Sequence, residues 1–180
     1  MGEGESNMFK MVIQSDLDRV FPNRIPAEER RPIFTAISGE TISFQAALLG
    51  DTESGSIQVR VSTTGTAARW AQVRWVGLVP SEYPCHPNPD EGYECTAPGI
   101  FPDPLLESTD GMGRCVAGQW RAVWIDIEVP EGTAPGRYSL KLLLHDNEGN
   151  LLCQKETELC LLHGTLPEQE LIHTEWFHTD

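Results

Sequence analysis

The sequence predicts an all-β protein, an antiparallel sandwich of roughly seven to nine strands. Three observations carry that reading. Apolar residues recur with period two in run after run, turn residues separate the runs at similar spacing, and no stretch sustains a helical period. The clearest runs are Val123, Ile125, Ile127 and Val129 alternating with Trp124, Asp126 and Glu128, then Tyr138, Leu140, Leu142 and Leu144 opposite Ser139 and Lys141. Pro130 ends the first, Glu131 to Gly136 link them, and the two read as neighbouring strands. The architecture expected is immunoglobulin-like or jelly-roll-like.

The remaining elements follow in order. Met8 to Gln14 reads as a strand, because Phe9, Met11 and Ile13 alternate with Lys10, Val12 and Gln14. Ser15 to Phe21 is a polar-then-apolar connection closed by Pro22, and Arg24 to Pro32 reads as a solvated, charged loop. Ile33 to Ile37 and Thr41 to Leu49 flank a Ser38-Gly39 turn and read as a hairpin, with Ile42, Phe44, Ala46 and Leu48 on one face. Ile57, Val59 and Val61 mark another strand, as do Ala71, Val73 and Trp75. Leu151 to Leu162 closes the sheet after a loop at Asp146 to Asn150. Phe44, Val59, Val73, Ile125, Ile127, Tyr138, Leu140 and Leu142 are the expected core.

Composition limits the function classes. A chain of 180 residues, 39% hydrophobic, is long enough to bury one proper core. Its formal net charge of −14 opposes phosphate backbones and anionic membrane surfaces, so no nucleic-acid and no membrane partner is expected. The start has no basic and apolar leader pattern, and no run approaches the ~20 apolar residues of a membrane span. A cytoplasmic location is the expectation. Cys85, Cys95, Cys115, Cys153 and Cys160 lack any C-x-x-C spacing and read as reduced thiols. A zinc site from Cys85, His86, Cys95 and Cys115 would lack the close ligand pairs usual in such sites, so neither metal nor cofactor is expected.

One segment breaks the rhythm. Pro80 to Gly118 holds seven prolines and the acidic residues Glu82, Asp90, Glu91, Glu94, Asp103, Glu107 and Asp110, and reads as one long acidic loop. Structureless loops above ~15 residues in a compact domain are functional or disordered. Its Tyr83, Tyr93, Ile100, Phe101, Leu105 and Leu106 favour something packed against it.

Several short motifs, taken in order, point to a family. They are Val20-Phe21-Pro22, Gly39 to Gln45, Phe101-Pro102-Asp103-Pro104-Leu105, Trp124 to Pro130, Pro135-Gly136-Arg137-Tyr138, Leu166-Pro167 and Trp176-Phe177-His178. Together they resemble the amino-terminal region of glycoside hydrolase family 123 proteins. The resemblance implies a β-sandwich over residues 1–165 and, over 166–180, a linker and the start of a (β/α)8 barrel. It also implies that the barrel removes β-linked N-acetylgalactosamine by substrate-assisted catalysis, with an adjacent Asp-Glu pair orienting the acetamido group and supplying the acid. That pair belongs to the barrel, which needs roughly 200 residues beyond Asp180.

On this reading the chain itself is not catalytic, and its partner is the barrel in cis. Phe101, Asp103, Leu105, Trp176 and Phe177 are the candidate barrel interface, and Trp176, His178 and Asp180 the candidate edge of a sugar site. The vicinal Asp90-Glu91 reads as solvated loop charge, and Asp126 with Glu128 as an exposed strand face. There is no G-x-S-x-G, no phosphate loop and no H-E-x-x-H. The rival reading is an independent carbohydrate-binding or protein-interaction sandwich, in which Trp70, Trp75, Trp120, Trp124 and Trp176 would supply aromatic platforms. Trp75 and Trp124 lie in strongly patterned strands and read as core or interface residues.

Overall fold

The computed structural model describes residues 9–27, 33–51, 53, 55–81, 97–168 and 170. Among these residues, ten strands form two five-stranded sheets. In chain order they are β1 (Lys10–Ser15), β2 (Ile33–Ser38), β3 (Thr41–Leu49), β4 (Ser56–Thr64), β5 (Ala71–Ser81), β6 (Gly99–Leu106), β7 (Met112–Val116), β8 (Trp120–Glu128), β9 (Gly136–Asp146) and β10 (Leu151–Thr165). The first sheet has the order β1-β3-β8-β5-β6 and the second β2-β10-β9-β4-β7. Neighbours run antiparallel except β2 and β10, which pair in parallel.

The all-β sandwich expected from the alternation is present, but two connections differ from the reading above. β2 and β3 do not form a hairpin, since they lie in opposite sheets. The Ser38-Gly39-Glu40 turn is an arch between the sheets, and Gly39 adopts φ 84° there, a left-handed conformation that glycine takes without strain. Its amide donates to Val129 O at 3.1 Å, and Leu166 N donates to Ser38 O at 2.7 Å. Across the gap Phe34 of β2 stacks on Phe44 of β3, ring centroids 4.4 Å apart. β8 and β9 likewise occupy opposite sheets, so the Pro130–Pro135 link is a second crossing.

The long acidic loop also needs correction. β5 continues to Ser81, and Gly99–Leu106 and Met112–Val116 form β6 and β7, which brings the described strands to ten; residues 82–96 of the loop lie outside the described residues. Pro102 and Pro104 are tolerated because β6 is an edge strand, where missing donors leave no central ladder unpaired. A register shift between Val76 and Leu78 sits opposite them, where a Cβ on Gly77 would meet Pro104 Cγ at 2.8 Å.

The core lies between the sheets. Phe44, Val59, Ile125, Ile127, Leu140 and Leu142 are fully buried, joined by Ile13, Leu48, Val123, Leu144 and Leu159. Val73 and Tyr138, expected in the core, are half-buried at its margin. Trp75 reaches from the first sheet toward the second, where its indole N–H donates at 3.0 Å to the carbonyl of Gly111, the residue just before β7. A side chain on Gly113 would strike the Trp75 ring.

Candidate interaction face

A second apolar layer covers the outer side of the first sheet. Val20, Ala47, Val76, Trp120 and Ala122 form a small buried cluster there, with Val12, Leu49 and Trp124 packed against it. The covering element is a strap, residues 16–27. Two glutamines projecting from the sheet hold it by its backbone: Gln45 Nε2 donates to Ser15 O at 3.1 Å and to Asp18 O at 2.5 Å, and Gln14 Nε2 to Ala27 O at 2.9 Å. Trp120 N donates to Pro22 O at 2.9 Å, and Phe21 meets Phe101 of β6 edge to face at 5.7 Å. A loop with few internal hydrogen bonds is thereby ordered by the sheet beneath it.

Between strap and β6 lies a cleft of about 410 Å³, lined by Asp16, Leu17, Asp18, Arg19, Gln45, Val76, Pro102, Asp103, Leu105 and Trp124. Arg19 bridges its rim, donating to Pro102 O at 3.1 Å and lying 3.9 Å from the Asp103 carboxylate. Leu17 is 88% exposed and Leu105 38%, and Ile25, Val79, Ile100 and Leu106 are also exposed on the strap, β5 and β6. Leu17 and Leu105 line this cleft together and put exposed apolar side chains on one face, the kind of surface that marks interaction sites.

Of the residues singled out in the sequence, Phe101, Asp103 and Leu105 come together on this side. Phe101 is half-buried against Phe21, while Asp103 and Leu105 line the cleft. Trp176, Phe177, His178 and Asp180 lie outside the described residues, as do Asp90, Glu91, Cys85, His86 and Cys95. The sequence reading missed the strap residues Leu17, Asp18 and Arg19. A leucine between two aspartates in a connection closed by proline was the signal available.

Asp126 requires a correction. It is 6% exposed, not an open-face carboxylate. Ser43 Oγ donates to its Oδ1 at 2.6 Å, the Trp124 indole N–H donates to the same oxygen at 2.7 Å, and Arg74 forms an ion pair with Oδ2. These donors fix the carboxylate, which in turn positions Trp124 at the cleft. Glu128, next on that face, is exposed.

The other polar groups offer little chemistry. Asp146 accepts from Asn150 Nδ2 at 2.8 Å and from the Asn150 and Glu148 amides at 2.8 and 2.9 Å, and these bonds, the Asn150 side chain first, lower its carboxyl pKa. They close the β9–β10 turn. No group of three or more His, Cys, Asp or Glu residues suited to a metal occurs among the described residues. Trp75 and Trp120 are buried, and Trp70 is flanked by Tyr138 at 4.9 Å and Arg69 at 4.7 Å. No helix among the described residues is long and apolar enough to cross a membrane.

Neither a family model nor a curated protein matches the sequence. Among solved structures, the chain is similar to a family 123 glycoside hydrolase from Clostridium perfringens, whose structure concerns glycolipid glycan hydrolysis. The TM-score is 0.68 at 14% identity, over 89% of this chain and 28% of that one. A chain of a type I cohesin–dockerin complex from Clostridium thermocellum matches at TM-score 0.37 and 16% identity, over 87% of this chain and 100% of the other. The N-terminal domain of PorA matches at 0.36 and 12%, over 86% and 99%. At such identities the likeness is one of fold. This chain therefore has the fold of a β-sandwich segment spanning little more than a quarter of a family 123 glycoside hydrolase chain.

Proposed function

We propose that this chain is the non-catalytic, amino-terminal sandwich of a glycoside hydrolase 123-like protein, in which residues 166–180 lead into a (β/α)8 barrel acting on N-acetylhexosaminides. One observation carries the reading: the fold likeness covers nearly all of this chain and only the smaller part of the hydrolase. The chemistry of the described residues supports it. Their one well-buried carboxylate, Asp126, is engaged by Ser43, Trp124 and Arg74 and serves as a structural anchor of the sheet. The strap and β6 face, with Leu17, Asp103 and Leu105, is the surface that packs against the barrel, in a compartment that keeps the thiols reduced.

The test has two parts. The reading frame downstream of the Asp180 codon is expected to continue into alternating strands and helices, with an Asp-Glu pair after an apolar strand; an immediate stop there would overturn the reading. The 180-residue chain is expected to hydrolyse aryl N-acetyl-β-galactosaminides at background rate only. Turnover that vanishes in Asp90→Asn or Glu91→Gln would assign the chemistry to this chain instead.

A further inference from the structure

The inward phase of β8 runs Arg121, Val123, Ile125, Ile127, and its first member is a cation. Arg121 pairs with Leu48, whose side chain is fully buried, so the strand register directs the arginine into the sandwich at the end of the core. It lines a pocket of about 380 Å³ with Gln58, Trp75, Glu107, Ser108 and Arg114, among others. Among the described residues no hydrogen bond or ion pair reaches its guanidinium, and its Nε is buried without a partner.

An arginine stays charged at any physiological pH, and a half-buried charge without a counter-ion is costly. Burial depresses the Arg121 pKa, with Cys115 acting weakly the other way. Cys115 cannot compensate at neutral pH, because burial pushes its thiol up to about 12 and keeps it uncharged. Glu107 lies on the same pocket but forms no ion pair with Arg121. Arg114 brings a second cation to the lining, its Nη1 donating to Ser56 Oγ at 3.3 Å. Among the described residues, two arginines without carboxylate partners share one pocket in a chain of net charge −14.

We propose that this pocket binds an oxyanion, a carboxylate or a sulfate or phosphate monoester, with Arg121 as the planar, bidentate anchor and Arg114 as the outer cation. Its volume is in the range of small-ligand sites. The proposal stands apart from the barrel reading, since neither arginine lies on the strap face.

The test titrates the 180-residue chain with sodium sulfate, sodium phosphate and sodium acetate, with sodium chloride holding ionic strength constant. Sulfate stabilises most proteins by exclusion from their surface, so the quantity read is the difference between wild type and Arg121→Met. The wild type is expected to gain a few degrees in Tm, saturably, and the variant only the non-saturating remainder. The Arg121 Nε–Hε resonance is expected to move along the same isotherm. A stronger response to sulfate and phosphate assigns a monoester, a stronger one to acetate a carboxylate. Should Arg121→Met fail to fold, Arg121→Lys and Arg114→Gln are each expected to weaken the isotherm severalfold. Equal responses in wild type and variants, or an unmoved Nε–Hε resonance, would overturn the proposal.

Discussion

Gly113→Ala tests how the two sheets are locked together. Gly113 lies on β7, and a Cβ there would fall inside van der Waals contact with Trp75 Cε2 and Cδ2 and 2.5 Å from Cζ2. The ring cannot swing away cheaply, because it is 4% exposed and its N–H is bonded to Gly111 O. Overpacking of a core costs about 1–3 kcal/mol, and a displaced indole loses a hydrogen bond worth about 0.5–1.5 kcal/mol. The reduced freedom of the unfolded chain returns about 0.4–1 kcal/mol. The net expectation is about 2 kcal/mol of destabilisation, or a Tm lower by roughly 4–8 °C at this chain length. Differential scanning calorimetry and urea unfolding read it directly. In a Trp75→Leu background the same alanine should cost far less, because the obstacle is gone. An unchanged Tm, or equal cost in both backgrounds, would refute the interlock.

Other substitutions report on other parts of the fold. Ile127→Ala is expected to cost about 2–5 kcal/mol in urea unfolding, as a fully buried large-to-small change; an effect within error would contradict its place in the core. Asp126→Ala strands Arg74 and frees Trp124, and should cost no more than about 3 kcal/mol because the Arg74 side chain is 29% exposed; unaltered Trp fluorescence would argue against the cluster. Leu17→Glu combined with Leu105→Glu should lower dye binding and any self-association by light scattering while leaving Tm near wild type; unchanged dye binding would remove the interaction face. Cys115 should resist thiol reagents at pH 8 until the chain unfolds. Its folded pKa, about 12, exceeds the unfolded value of 9.0, so its contribution to stability is complete below pH 9 and is lost progressively as pH rises toward 12. Cys115→Ala should flatten that alkaline decline, and an identical decline in the variant would assign it elsewhere.

The strands of the core were legible because their alternation is local. Val123, Ile125 and Ile127 announce a buried face within a few residues, and β3 and β4 do the same. Sheet membership was not legible, since a turn such as Ser38-Gly39 joins two alternating runs equally well as hairpin or as arch. The choice rests on Phe34 meeting Phe44 and on Val129 and Leu166 bonding to the turn, contacts that sequence distance hides. β6 was concealed by Pro102 and Pro104, which argue against a central strand but not against an edge. The burial of Asp126 depends on Ser43 and Arg74, donors from strands far away in sequence. The strap escaped notice because its order comes from Gln14 and Gln45 beneath it rather than from its own residues.

The parallel pairing of β2 with β10 sets a clock for biosynthesis. Phe34 meets its partner Leu159 only after about 125 further residues have been made. At translation rates of about 5–20 residues per second, β2 waits roughly 6–25 s for that partner. During the wait Phe34 and Ile33 belong to an unpaired edge, the kind of segment that chaperones shield and that other nascent chains can capture. Ribosome spacing and holdase supply should therefore influence the yield of soluble protein.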